Sequence, residues 1–130
     1  MAKTLNYAKL KKDMNGWPKN WAGDDSDIPI GQRIVQTLDS FVLAMMEEGL
    51  APSTIKRHVC YLCLLGGEII RCVQDDRKLR KATGNELVLR FIDDEGGPLS
   101  RYLPTEEDQR PFDGTCRKLY RYLSRKSHDE

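Results

Sequence analysis

No apolar run in the 130-residue chain approaches the ~20 residues that a membrane-spanning helix needs, so no membrane segment is expected. The first residues, MAKTLNYAKLKKD, lack the apolar centre of a secretory signal, and a cytoplasmic location is the expectation. Charge of one sign is not in excess either. With a formal net charge of +1, no global field draws nucleic acid or an anionic surface, and any electrostatic footprint has to be local. Histidine is scarce: His58 and His128 form no recognisable triad with Ser53 or Ser124, and His128 falls in a short terminal tail, residues 127–130. The carboxylates stand in solvated runs, Asp24-Asp25-x-Asp27, Asp93-Asp94-Glu95 and Glu106-Glu107-Asp108. Catalysis, a cofactor and a small-molecule substrate are therefore not expected. Segments alternating β-branched and polar residues at useful length are missing as well, which points to an all-α fold. The length suits one domain with a real core.

Cysteine is present but in a setting that disfavours metal or redox chemistry. Of the four, Cys60, Cys63, Cys72 and Cys116, the Cys60-x-x-Cys63 pair lies inside the apolar run HVCYLCLL, whereas structural zinc pairs sit on turns and want a second pair. His58 points roughly 200° from Cys60 around a helix, at about 100° per residue, so it is a poor third ligand. Buried, reduced thiols and no metal site are expected.

The chain is organised around GLAPSTIKRHVCYLCLLGGEIIRCVQ, residues 49–74. Gly49 suits the left-handed position that ends one helix, and Ser53 is placed to cap the next. In that helix Ile55, Val59, Leu62, Cys63, Gly66, Ile70 and Val73 form one stripe, and further apolar residues outside it predict neighbours on more than one side. Gly66-Gly67 costs about 1 kcal/mol per glycine in a helix interior, which calls for close approach of another element. A phosphate-binding glycine turn is the weaker reading, because no Lys-Ser/Thr follows.

Around this central helix the sequence predicts an N-terminal arm, residues 1–29, and a helical domain, residues 30–126. The arm carries a short helical pattern from Ala2 to Met14, then a loop, NGWPKNWAGDDSDIPIGQ, whose Trp17 and Trp21 anchor on the core or, with Lys19, stack on bases. Ile34, Leu38, Phe41, Val42 and Met45 mark a second clear helix between Ile30 and Glu48. The charged stretch 75–81 connects to a capping box, Thr83-Gly-Asn-Glu86, opening a helix that ends near Glu95. Thr105 starts another turn that Pro111 should disturb, and a last helix runs from about Gly114 to Arg125. The total is about five helices in one bundle.

The succession of an amphipathic helix, Glu48-Gly49-Leu50-Ala51-Pro52-Ser53-Thr54-Ile55-Lys56-Arg57-His58 and a long apolar helix resembles the core-binding domain of tyrosine recombinases and phage integrases. The likeness covers about residues 30–74. It implies a SAM-like helical bundle whose turn starts a helix lying against duplex DNA, and a link to recombination or mobile elements. The catalytic half of that family, with its His-x-x-Arg pair and nucleophilic Tyr, has no counterpart in this chain. Residues 65–71, 94–99 and 112–120 are similar to a group of short bacterial proteins, a likeness that implies no function.

Local charge supports the same direction. Between Ser53 and Arg90 the cations Lys56, Arg57, Arg71, Arg77, Lys78, Arg80, Lys81 and Arg90 face only Glu68, Asp75, Asp76 and Glu86. The stretch from Arg110 to Lys126 adds Arg117, Lys118, Arg121, Arg125 and Lys126 against Asp113 alone. Arg57, Tyr61, Glu68 and Arg71 share the helix face opposite the main stripe, with Lys56 beside them. Thr54 can present its hydroxyl or N–H to a phosphate, or simply cap. Non-catalytic duplex-DNA binding through Thr54, Lys56, Arg57, Tyr61, Arg71, Arg77, Lys78, Arg80, Lys81, Arg117, Lys118 and Arg121 is the leading reading. The alternative is an adaptor that pairs with a protein or with its own copy, using the same two-faced charge and aromatics such as Tyr122, with no nucleic acid.

Overall fold

The computed structural model describes residues 5–128, with side chains through residue 126. Its helices are α1 (Tyr7–Asn15), α2 (Trp17–Trp21), α3 (Ile28–Glu47), α4 (Pro52–Asp75), α5 (Gly84–Phe91) and α6 (Glu106–His128), with 3-10 turns at Asp25–Asp27 and Arg77–Lys81. Among the described residues no strand forms, and the fold is all-α. None of these helices is long and apolar enough to cross a membrane.

The stripe on α4 buries Ile55, Val59, Leu62, Ile70 and Val73 as the periodicity predicts, and Leu65 and Ile69 widen it. α4 touches α2, α3, α5 and α6. It shares the centre with α3, which contacts α1, α2, α4 and α5 and buries Ile34, Leu38, Phe41, Val42 and Met45. The corner between them follows its sequence signal: Gly49 adopts φ +80°, its N–H reaches the Met46 carbonyl at 3.0 Å, and the Leu50 N–H reaches Met45 at 3.3 Å. This is the Schellman closure that a non-glycine residue would strain.

Four expectations change. The stretch placed in a loop after Met14 holds α2, a 3-10 turn and the start of α3 at Ile28, so the boundary drawn at residue 29 falls inside a helix. Trp17 and Trp21 lie four residues apart on α2 with ring centroids 5.7 Å apart, and Pro18 near the helix start fixes φ for its first turn. The N-cap of α4 is Ala51, not Ser53, and no side chain caps it. Ala51 is held extended ahead of Pro52, which takes the first helical position. α5 ends at Phe91 rather than Glu95, because the Asp93 carboxylate accepts the N–H groups of Glu95 at 2.8 Å and Gly96 at 3.1 Å and closes a tight turn. Finally, α6 runs unbroken through Pro111. The Thr105 hydroxyl caps Asp108 N–H at 3.1 Å, and Pro111 removes a single donor on an exposed face while Phe112 anchors the next turn in the core.

The N-terminal segment is part of the packed body. Met14 is fully buried, and α1 is fastened to α3 where Tyr7 Oη donates to Asp39 Oδ1 at 2.5 Å and Lys11 Nζ to Asp39 Oδ2 at 2.6 Å. Burial, then the hydrogen bond to Asp39 and its charge, push the Tyr7 phenol up to about 12. Residues 2–4 of the expected N-terminal helix and residues 129–130 of the tail lie outside the described residues, and the first two positions of the tail drawn at 127–130 belong to α6.

Candidate nucleic-acid interface

The stripe of α3 running Arg33, Gln36, Thr37, Ser40 and Ala44 at helical spacing, continued by Glu48 just past its end, is left uncovered along one side by α6. Tyr122 of α6 crosses this stripe, with its hydroxyl on the Ser40 carbonyl at 3.3 Å and Oγ at 3.2 Å and its ring 5.6 Å from that of Phe41. On one side of the crossing is a groove of about 250 Å³ whose charged lining is Lys118, Arg121, Arg125 and Glu48. On the other is a cleft of about 450 Å³ whose charged lining is Arg33, Lys81 and Lys126. Lys126 Nζ, on the lining of the second, sits 5.9 Å from the ring centre of Tyr122, on the lining of the first, so the two recesses are neighbours. Glu48 is the only carboxylate on either lining among the described residues, and it pairs with Lys118 at 3.2 Å. Arg121, Arg125, Lys81 and Lys126 form no ion pair among the described residues.

The residues singled out from sequence are thus divided. Lys118, Arg121 and Lys81 come together on the α3–α6 channel. Arg57 is exposed on the first turns of α4, beside His58, and lines neither recess. Arg77 and Lys78 are exposed in the 3-10 turn leading to Lys81. Thr54 is half-buried in the first turn of α4. Lys56 belongs elsewhere, lining a groove of about 730 Å³ between α1 and α4 with Leu5, Leu10, Trp17, Cys60 and Cys63.

Four assignments are corrected. Tyr61 packs edge-on against Phe112 with ring centroids 6.1 Å apart, so it is an internal contact. Arg71 pairs with Glu68 at 3.7 Å, and Glu68 in turn accepts from Ser100 Oγ at 3.3 Å. Phe112 of α6 covers Tyr61, whereas the Arg71 side chain stays 41% exposed beside Glu68. Arg80 is spent on the core, with its Nη2 2.9 Å from buried Asp27 and its Nη1 on Ser26 Oγ at 3.2 Å. Arg117 turns to the Glu95 carbonyl at 3.3 Å, away from the channel. Arg33, missed altogether, carried a signal only in the spacing of α3's polar residues, which the apolar stripe overshadowed. Arg125 and Lys126 stood out as basic in sequence, but nothing there tied them to α3. Tyr122, read as an exposed aromatic, is half-buried on Ser40.

The cysteines also depart from expectation. Cys116 is buried, and desolvation followed by the charge of Asp113 pushes its thiol up to about 12. Cys63 is half-buried, whereas Cys60 and Cys72 are exposed. Among the described residues no group of three His, Cys, Asp or Glu side chains is placed to hold a metal ion.

His58 faces α6, not the cysteines. Its Nδ1 lies 2.6 Å from Thr115 Oγ1. Burial, then the charges of Arg57 and Lys118, hold its pKa below the usual histidine value. Because the folded value is depressed, the unfolded chain takes up the proton first. Stability is therefore complete above the unfolded pKa near ~6.5 and falls as pH drops below it toward the folded value. An NMR pH titration should find His58 titrating below ~6.5, the value of an unperturbed histidine. A midpoint at or above that value would contradict the packing of α4 on α6.

No protein-family model, no curated protein and no solved structure matches this chain.

Proposed function

We propose that the protein is a non-catalytic DNA-binding module that tracks duplex phosphates along the α3–α6 channel. The observation that carries the reading is the concentration of Arg33, Lys81, Lys118, Arg121, Arg125 and Lys126 around two neighbouring recesses with Glu48 as their one carboxylate among the described residues, in a chain of net charge +1. Such an arrangement neutralises phosphates without reading base edges, so binding is steep in salt and weak in sequence preference. The likeness of residues 48–58 to the recombinase core-binding turn adds support, since that turn carries Arg57, an exposed cation.

Fluorescence anisotropy with a labelled random-sequence duplex, taken from low to near-physiological salt, tests the reading. Log affinity should fall linearly with log salt, and a variant combining Arg121→Gln with Arg125→Gln should lower the slope by about 0.9 for each phosphate contact removed. Arg71→Ala, which lies outside both recesses and pairs with Glu68, should bind like the parent. An absence of binding at low salt would discard the proposal. The adaptor reading would then take over on its own observation: Leu99 is 86% exposed and Tyr102 60% exposed on the loop between α5 and α6.

A further inference from the structure

We infer that the recess between α3, the first turn of α5 and the end of α6 is a seat for a phosphomonoester dianion. Arg33, Lys81 and Lys126 come from three separate elements and converge on a cleft of about 450 Å³ with no carboxylate on its lining among the described residues. Three like charges brought together repel one another, and a bound anion relieves that repulsion. Arg33 adds a second, independent sign. Its Nη2 is satisfied by the Arg80 carbonyl at 2.7 Å, but its Nε is buried and has no hydrogen-bond partner among the described residues. Folded proteins seldom leave a buried donor unmatched, and an ion is one of the groups that explain such a donor. Asn85 accepts from the Thr37 hydroxyl through Oδ1 at 2.7 Å, which leaves its amide hydrogens free on the same lining. The N–H groups of Gly84 and Asn85, at the start of α5, have no acceptor within the helix and reinforce the positive field.

The number of cations selects the ligand. A phosphodiester or carboxylate brings one negative charge, whereas a phosphomonoester brings about −1.5 to −2 and three acceptor oxygens. The space also admits a phosphate with a nucleoside-sized group attached. The dianion comes either from the 5′-phosphate of a DNA end, which rests on the DNA-binding reading above, or from a free phosphorylated small molecule, which does not.

The test is an NMR titration of the isotopically labelled full chain with inorganic phosphate, then with a nucleoside 5′-monophosphate, at ionic strength held constant with chloride. Saturable shifts are expected at the Gly84 and Asn85 amides. A Lys81→Gln/Lys126→Gln variant, checked for folding by its melting temperature, should bind at least about tenfold more weakly. Shifts that do not saturate, or that are the same in the variant, overturn the inference. Anisotropy competition between 5′-phosphorylated and 5′-hydroxyl duplexes separates the sources. A preference for the phosphorylated end that disappears in the variant assigns the DNA end, and equal competition by the two duplexes alongside saturable phosphate binding assigns the free ligand. Duplex binding with no response to inorganic phosphate sinks this seat and leaves the DNA reading standing. A phosphate response with no duplex binding does the reverse.

Discussion

Asp27→Ala is expected to destabilise the protein by about 3 kcal/mol, seen as a lower urea midpoint at unchanged slope. The carboxylate is 1% exposed and accepts from Gly23 N–H at 3.0 Å, Asp24 N–H at 3.3 Å, Gln74 Nε2 at 2.9 Å and Arg80 Nη2 at 2.9 Å. Those donors come from the loop after α2, from the end of α4 and from the 3-10 turn that follows it, so one side chain ties three pieces of chain to the start of α3. Truncation leaves the guanidinium without its counter-charge. The value sits at the low end of what breaking a buried pair costs, because Arg80 is 29% exposed and the loop N–H groups can take up water.

The same residue sets an acid limit. Burial alone would raise the Asp27 pKa, but the hydrogen bonds from Gln74, from the Gly23 and Asp24 backbone and from Arg80 outweigh it and hold the carboxyl below its ordinary value. A depressed folded pKa means that the unfolded chain binds the proton first. The contribution is therefore full above the unfolded value near ~4 and is lost as pH falls through the folded one. Measured from neutral pH downward, the stability gap between wild type and Asp27→Ala should be constant to about pH 5 and then close. A gap that widens in acid would mean that Asp27 is protonated in the folded protein.

The elements that a periodic apolar stripe or a local backbone rule determines were legible in the sequence. α3, α4, the Gly49 corner and the Thr83 cap, whose hydroxyl takes the Glu86 N–H at 3.1 Å, all follow from residues within one or two turns of each other. What depended on distant partners was not. Asp27 reads as one more solvated acid in DDSD until Arg80 and Gln74 are brought to it. Tyr61 occupies the polar side of α4 by periodicity, yet Phe112 of α6 packs against it, and no spacing in α4 announces that contact. The channel has the same character. Its cations come from α3, the 3-10 turn and α6, and only the course of α6 along α3 makes them neighbours. The Gly66-Gly67 pair lies between these cases: the sequence says that something approaches closely, and the fold supplies Trp21.

That approach gives the second large effect, with opposite signs at adjacent residues. A Cβ at Gly66 would lie 2.2 Å from Cη2 and 2.3 Å from Cζ2 of Trp21, whereas one at Gly67 would meet Trp21 Cδ1 at 3.4 Å, an ordinary contact. Alanine is favoured over glycine in a helix interior by about 1 kcal/mol, so Gly67→Ala should hold or raise stability by up to that amount. Gly66→Ala receives the same helical gain but drives the indole from its seat. Trp21 Nε1 then loses the Cys63 carbonyl it donates to at 3.0 Å, and α2 loosens from α4. Overpacking of this kind costs about 1–3 kcal/mol, or a fall in melting temperature of roughly 4–10 °C. Tryptophan emission should shift to the red in Gly66→Ala and stay in place in Gly67→Ala. In a Trp21→Ala background the methyl of Gly66→Ala has room, so its penalty should vanish and the two substitutions should be strongly non-additive. Equal penalties in both backgrounds would mean that the indole does not rest on Gly66, and that the glycine pair serves the bending of α4 instead.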